Sequence, residues 1–237
     1  ARLIAADLAP LGISVVCAPV LDLALPGRTR AIGDRALAAD PQLVALLGLA
    51  MIDGFLEGGV LPVIKHLPGH GRARRDSHLC LPTVTAALDE MAGADWIPFH
   101  ACRAAPFAMT AHVLYPALDP ARPATMSPSI IGTVIRGDIG FAGALLSDDL
   151  SMGALSGSLG TRSAAARAAG CDLALHCNGD FAEMAEVLDA AGPLEGESAR
   201  RAQAALARLR APASFDAAAG GARLAALLTS VEPALEA

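Results

Sequence analysis

The chain has 237 residues, a net charge of −6 and a hydrophobic fraction of 54%. So much apolar surface, with only 18% charged residues, excludes a disordered chain and a coiled coil. An acidic net charge argues against a nucleic-acid partner, which needs a basic face. The longest apolar run, residues 43–52, is about half the length of a bilayer span. We therefore expect a helix-rich globular protein with no nucleic-acid partner and no membrane segment.

The cysteines indicate the compartment. They are odd in number and lack CxxC or zinc-finger spacing: Cys17, Cys80, Cys102, Cys171 and Cys177. This favours reduced thiols over a disulfide framework. The first ten residues carry no basic region or cleavage pattern, so we expect a cytoplasmic protein. The chain opens in what reads as the middle of an amphipathic helix, and we expect further residues upstream.

Five short apolar segments alternate with segments rich in Ala and Leu. The apolar segments are residues 13–19, 60–64, 107–110, 143–146 and 171–176. Helices are predicted at 41–56 after Asp40 as N-cap, at 163–169, and from Asp180 as N-cap to residue 190. This alternation predicts an α/β fold with a parallel sheet covered by helices.

No Gly/Ser linker divides the chain, so one domain is expected. Residues 1–192 hold all the strand signals, and residues 193–237 read as a helical extension of the same domain. Two helices, 198–209 and 217–228, are predicted in this extension, separated by Pro212.

Polar residues follow each predicted strand at its carboxyl end. In chain order they are Asp22, then Lys65 and His66, then His112, then Asp148 and Asp149, then Asn178. Parallel α/β folds, and (β/α)₈ barrels especially, assemble their sites at this end of the sheet. Polar residues also begin ordinary loops, which is the alternative explanation for this pattern.

The loop after the second strand carries the densest group of reactive side chains. Asp76 stands two residues before His78, so its carboxylate can hold one ring nitrogen and make the pair an acid/base dyad. The alternative for this pair is a surface salt-bridge cluster in an Arg-rich loop. Lys65 is the only lysine of the chain, which favours a point charge aimed at a ligand over a strand-end residue that reaches into solvent.

Two adjacent carboxylates follow the fourth strand. A carboxylate at the end of a buried strand can serve as nucleophile, base or metal ligand. Neighbouring side chains alternate in direction, so we expect at most one of Asp148 and Asp149 to face the site. With a proton donor about 5 to 5.5 Å away, that carboxylate fits a retaining glycosidase in which a histidine replaces the second carboxylate.

Four segments together resemble a known family. KHLPGHGRARRDSH, MTAHVLYPALDP, LLSDDLSMGAL and AGCDLALHCN are similar, in this order, to the signatures of the β-N-acetylhexosaminidases of glycoside hydrolase family 3. These cytoplasmic enzymes remove terminal N-acetylglucosamine from muropeptide fragments in peptidoglycan recycling. CAPVLDL and GDRALAADP also fit. The resemblance implies a (β/α)₈ TIM barrel, a retaining β-N-acetylglucosaminidase, a sugar substrate, and neither a metal nor an organic cofactor.

The resemblance also implies roles for particular residues. Asp148 is the expected nucleophile, which forms a covalent glycosyl intermediate, and Asp76 with His78 is the expected acid/base dyad on a mobile loop. The expected substrate contacts are Lys65, His66, Arg35 and, by a weaker match, His112.

The sequence departs from the family pattern in two places. Arg72-Ala73 stands where the family usually has Asp-Thr, and residues 1–237 contain neither the first three strands of the family barrel nor its Asp-Gln-Glu-Gly-Gly stretch, whose Asp grips the terminal sugar. We expect an N-terminally incomplete barrel of about five parallel strands. Because five strands cannot close an eight-stranded barrel, we expect little or no hydrolysis by this chain alone, and association through an open sheet edge.

Two other functions remain open at this point. A metal-dependent barrel hydrolase is one, since the ligand types are present as His66, His70, His78, His112 and Asp148. Against it, the histidines lack HxH or HExxH spacing. The other is a catalytically silent remnant that binds only a sugar or a partner.

Overall fold

A curled sheet of five parallel strands forms the centre of the protein. The computed structural model describes residues 1–28 and 31–235, with side chains as far as residue 230. The strands lie in the order β1 (Val15–Val16), β2 (Leu61–Leu67), β3 (Phe107–Thr110), β6 (Ala144–Asp149) and β7 (Leu173–Leu175). Every neighbouring pair is parallel. The prediction of an incomplete (β/α)₈-type barrel with five parallel strands is confirmed.

The edge strand β1 is shorter than the predicted segment 13–19. Its ladder consists of Val15 opposite Leu61 and Val16 opposite Pro62. Pro62 has no amide hydrogen to continue that ladder. After β1, Val20 forms an isolated parallel bridge to Lys65. The chain therefore leaves this edge of the sheet beside the carboxyl end of β2.

The helices of the described residues are α1 (Arg2–Leu8), α2 (Pro41–Glu57), α3 (Leu88–Ala92), α4 (Trp96–Ala101), α5 (Leu159–Ala169), α6 (Phe181–Ala191), α7 (Gly196–Leu206) and α8 (Ala217–Leu235). The predicted N-caps of α2 and α6 are confirmed, since Asp40 accepts the amide of Leu43 and Asp180 those of Ala182 and Glu183. Helix α5 begins before the predicted residue 163 because Ser158 caps it. None of the helices traced in the described ranges is long and apolar enough to cross a membrane.

The connection between β3 and β6 contains elements that we did not predict. An antiparallel hairpin is formed by β4 (Leu114–Tyr115) and β5 (Asp119–Pro123). A short 3₁₀ turn and a π-helical segment, Ile130–Asp138, follow it. This connection places Thr125 beneath the carboxyl end of β3.

The central strands β2 and β3 are buried on both faces, as expected for parallel strands in an α/β fold. Leu61 and Val63 of β2 belong to a cluster on one face, whereas Ile64 and Leu67 belong to the main core on the other. The strand interiors are therefore apolar, and their polar residues are concentrated at the carboxyl ends.

The segment between α7 and α8 packs back onto the start of the chain. The Arg2 guanidinium donates to the carbonyl of Ser214 at 3.0 Å and lies over the ring of Phe215. The two helices predicted after residue 192 are present as α7 and α8, and Pro212 lies between them.

Candidate active site

A pocket of about 280 Å³ opens at the carboxyl ends of the strands. It brings together five of the seven side chains expected from the sequence: Arg35, Lys65, His66, His78 and Asp148. The other two, Asp76 and His112, contact residues of the pocket from behind. The structure also adds Ser77, Cys17 and Cys177 to the lining, which were not expected there, and His70, which the sequence offered only as a candidate metal ligand.

A shift of register in β2 lets two successive residues reach the pocket. Lys65 pairs with Met109, but Leu67 pairs with Thr110, so His66 is an extra residue in the ladder. In a regular strand, adjacent side chains point to opposite faces, and a bulge redirects one of them. Both Lys65 and His66 consequently line the pocket.

The buried carboxylate of Asp22 holds His66 in place. Asp22 has no exposed surface, and it accepts the His66 ring nitrogen Nδ1 at 2.6 Å and the backbone amide of His70 at 2.6 Å. Burial works to raise the pKa of Asp22, but the charge and hydrogen bond of His66 lower it below its usual value. The Nδ1 proton therefore points to Asp22, and Nε2 points towards Asp148 at 3.9 Å. The sequence signal for Asp22 was its position after the first predicted strand, although we did not predict that it holds His66.

Asp148 supplies the free carboxylate of the pocket. Its Oδ1 accepts the amide of Asp149 at 2.8 Å. Burial opposes ionisation, but the nearby rings of His66 and His112 and the amide of Asp149 together lower the pKa of Asp148. Asp148 is thus a carboxylate at neutral pH, the form that a nucleophile requires.

Both residues of the acidic pair border the pocket. The ladder of β6 and β7 shifts between Leu146 and Asp149, so the simple alternation fails here. The Asp149 carboxylate is nevertheless engaged, since it accepts the amide of Ser151 at 3.0 Å and its hydroxyl at 2.7 Å.

Asp76 and His78 form the hydrogen bond that their spacing predicted. Asp76 Oδ1 accepts His78 Nδ1 at 2.7 Å and the His78 amide at 2.9 Å. The amide and ring of His78 lower the pKa of Asp76. The loop is joined to the segment after β6, because the amide of Gly153 donates to the carbonyl of His78 at 2.9 Å. Among the described residues the ion-pair partner of Asp76 is His78 and not an arginine.

His112 lies beneath the pocket and does not line it, which corrects the expected location. It has no exposed surface, and burial lowers its pKa. Its Nε2 donates to the carbonyl of Asp149 at 3.0 Å, and its Nδ1 hydrogen-bonds to the Thr125 hydroxyl at 2.7 Å. The unpredicted connection that carries Thr125 explains this position.

Arg35 and Asn178 each have a separate partner. Arg35 is exposed at the rim and donates to the carbonyl of Ala31. Asn178 lies outside the pocket, where its side chain contacts Glu183. Within residues 1–28 and 31–235, no group of three His, Cys, Asp or Glu side chains is arranged to hold a metal ion.

Comparisons with known proteins agree with this geometry. The family model for the glycosyl hydrolase family 3 N-terminal domain matches residues 1–210. The β-hexosaminidase of Alkalilimnicola ehrlichii is 46% identical over 180 residues, which are 74% of this chain and 51% of that protein. That of Idiomarina loihiensis is 39% identical over 203 residues, or 84% of this chain and 60% of that protein. The chain thus spans about half the length of the curated relatives that it matches.

Solved structures show the same similarity. A family 3 β-N-acetylglucosaminidase from Paenibacillus sp. str. FPU-7 superimposes with a TM-score of 0.82 at 34% identity, over 91% of this chain and 44% of that chain. NagZ from Neisseria gonorrhoeae gives a TM-score of 0.77 at 35% identity, over 94% and 62%. A second NagZ structure, with N-trifluoroacetyl-D-glucosamine bound, gives 0.69 at 35% identity, over 88% and 66%. The chain therefore belongs to glycoside hydrolase family 3.

Proposed function

We propose that the protein is a retaining β-N-acetylglucosaminidase that removes terminal N-acetylglucosamine from muropeptide fragments of peptidoglycan. One observation carries the proposal: the pocket combines the ionised carboxylate of Asp148 with a histidine, His78, whose ring is oriented by Asp76. The names of the related proteins support the reaction and the sugar, and the N-trifluoroacetyl-D-glucosamine in a NagZ structure supports the N-acylated ring.

In the first step His78 is the general acid. In the protonated form of His78, the imidazolium, Nδ1–H donates to the Asp76 carboxylate, so the proton that is transferred is the one on Nε2, the atom free to approach the glycosidic oxygen. Proton transfer from Nε2 to that oxygen accompanies attack by Asp148 Oδ2 on the anomeric carbon. The glycosidic bond breaks, the aglycone leaves as an alcohol, and the sugar is esterified to Asp148.

In the second step the same imidazole is the general base. Neutral His78 takes a proton from a water molecule at Nε2, and the water oxygen attacks the anomeric carbon. The ester bond to Asp148 breaks, which restores the carboxylate. Two displacements at one carbon retain the anomeric configuration.

Three residues of the lining bind the sugar in this scheme. Lys65 and Arg35 donate to hydroxyl oxygens, and Asp22 keeps Nδ1 of His66 occupied so that Nε2 is the ring nitrogen that hydrogen-bonds to a sugar hydroxyl. His112 acts indirectly, because it holds the carbonyl of Asp149 beside the nucleophile. We also propose a cytoplasmic location, which is consistent with five unpaired cysteines.

The test uses the full-length protein that the gene encodes, with any residues outside 1–237 included. The His78→Ala variant is mixed with an aryl N-acetylglucosaminide whose leaving group is acidic enough to depart without protonation. We expect a burst of aryl alcohol and a protein mass increased by one N-acetylglucosaminyl residue, located on Asp148 by peptide mapping.

Two controls complete the experiment. The His78→Ala, Asp148→Asn double variant is expected to show neither burst nor mass increase. Full turnover by Asp148→Asn alone, or the sugar on another residue, contradicts the assignment of the nucleophile. The muropeptide preference is tested by comparing kcat/KM for a disaccharide-peptide from peptidoglycan with kcat/KM for chitobiose. Equal values refute the preference.

A further inference from the structure

A second cavity lies at the opposite end of the sheet from the active-site pocket. It has a volume of about 450 Å³ and lies under the amino ends of β3 and β6. Its walls are the turn 103–106, the loop 141–143 and one face of α7 with the turn that follows. The cavity shares no lining residue with the catalytic pocket.

Arginines dominate this cavity, although the chain as a whole is acidic. Five of them line it: Arg103, Arg136, Arg200, Arg201 and Arg208. Glu197 is the one acidic side chain in the lining. Such a concentration of one charge in a concave surface attracts ligands of the opposite charge.

The acidic partners within the fold neutralise only part of this charge. The buried carboxylate of Asp172 contacts Arg136 at 2.7 Å and Arg201 at 3.2 Å. Glu197 pairs with Arg200 and Arg201 on α7. Two carboxylates therefore face five guanidinium groups, and three positive charges remain without compensation.

Arg103 and Arg208 form the unneutralised wall. Arg103 donates to the carbonyl of His100 at 2.8 Å, and Arg208 donates to the carbonyl of Ala104. Within the described residues neither arginine has a carboxylate partner closer than the 4.0 Å of an ion pair. Carbonyl contacts fix the two side chains in position while their charge stays available.

The crowding of cations is visible at Arg136. Burial and the charge of Arg201 lower the pKa of Arg136, even though Asp172 opposes this effect. A bound anion would relieve the repulsion among the guanidinium groups, so binding and folding stability are coupled here.

We propose that this cavity binds a small molecule carrying two or more phosphate or carboxylate groups. The planar guanidinium matches the geometry of both groups and donates two parallel hydrogen bonds to either. The cavity has the volume of a small-molecule site, and Pro106 and Phe141 provide apolar contacts for the rest of the ligand. The proposal is independent of the hydrolase function.

Isothermal titration calorimetry tests this proposal. The purified chain is titrated with inorganic pyrophosphate, and separately with citrate, at 0.15 M NaCl. We expect saturable binding with one ligand per chain. The Arg103→Gln, Arg208→Gln double variant should bind about tenfold more weakly or worse, because it loses charge-assisted hydrogen bonds. The control is Arg122→Gln, Arg223→Gln, which removes the same charge from exposed positions elsewhere and should bind like the parent chain.

Thermal unfolding gives a second readout that does not depend on heats of binding. At equal ionic strength, pyrophosphate or citrate should raise the Tm of the parent chain and of the Arg122→Gln, Arg223→Gln control more than chloride does. The Tm of the Arg103→Gln, Arg208→Gln variant should be no higher in these anions than in chloride. Binding of citrate alone assigns the site to carboxylates, and binding of pyrophosphate alone assigns it to phosphates. Absence of saturable binding by both, or equal binding by the two double variants, overturns the proposal.

Discussion

Replacement of Asp22 by Asn tests the role of the buried carboxylate beneath the pocket. Asp22 is fully buried and accepts hydrogen bonds from the ring and amide of His66 and from the amide of His70. Asparagine has nearly the same shape and keeps one oxygen for the two amides. The amide group of the variant, however, replaces the oxygen that accepts His66 Nδ1 at 2.6 Å.

The expected loss follows from that one bond. A buried hydrogen bond to a charged group contributes about 1.5–3 kcal/mol, and loss of one member of a buried pair costs more when the other stays charged. His66 can shift its proton to Nε2 and accept from the new amide group, which limits the loss. We therefore expect Asp22→Asn to lower the free energy of unfolding by about 2 kcal/mol, out of the roughly 5–15 kcal/mol typical of a folded domain.

Urea unfolding followed by circular dichroism measures this difference. At an m value of about 2 kcal/mol/M, the midpoint should fall by about 1 M with no change in slope. Asp189→Asn on the exposed face of α6 is the control, and its midpoint should not move. A change of less than about 0.5 kcal/mol in Asp22→Asn, or an equal change in the control, refutes the reasoning.

Three other predictions concern pH, packing and activity. Burial lowers the pKa values of His70 and His112 below the usual 6.5. The unfolded chain therefore binds more protons than the folded one, and the free energy of unfolding should fall as the pH drops below 6.5. Urea midpoints at pH 7.5 and 5.5 measure this difference, and equal midpoints contradict it. In Gly71→Ala the new Cβ would lie 2.5 Å from the carbonyl oxygen of Leu23, so we expect the free energy of unfolding to fall by about 1–3 kcal/mol in the same assay. Gly221 has open space around it, so Gly221→Ala should not destabilise the protein. The 237-residue chain alone should hydrolyse a chromogenic N-acetylglucosaminide weakly or not at all, because a five-stranded sheet leaves the barrel open; turnover typical of the family would contradict this.

Local signals in the sequence were enough for the five-stranded sheet and for the starts of α2 and α6. Each strand has an apolar segment of its own, and Asp40 and Asp180 stand directly before the helices that they cap. The hairpin of β4 and β5 has no comparable signal. Its position depends on distant contacts, such as the bond from the buried Tyr115 hydroxyl to the carbonyl of Gly69 at 2.8 Å.

In the candidate site, too, local contacts were predictable from the sequence and distant contacts were not. Asp76 and His78 are two residues apart, so their hydrogen bond was visible in the spacing. Asp22 and His66 are 44 residues apart, and only the parallel register of the strands brings them into contact. The position of His112 was not predictable either, because it depends on Thr125 in a connection with no regular sequence pattern.

The extra residue in β2 has a consequence for protein engineering. Because His66 interrupts the ladder between Lys65 and Leu67, this strand cannot be replaced by an idealised strand of alternating residues without one of the two pocket residues being turned away. Removal of a single residue here would make the hydrogen bonding regular and dismantle the binding surface at once. A designer who transplants this pocket to another barrel must therefore transfer the irregular backbone together with the side chains.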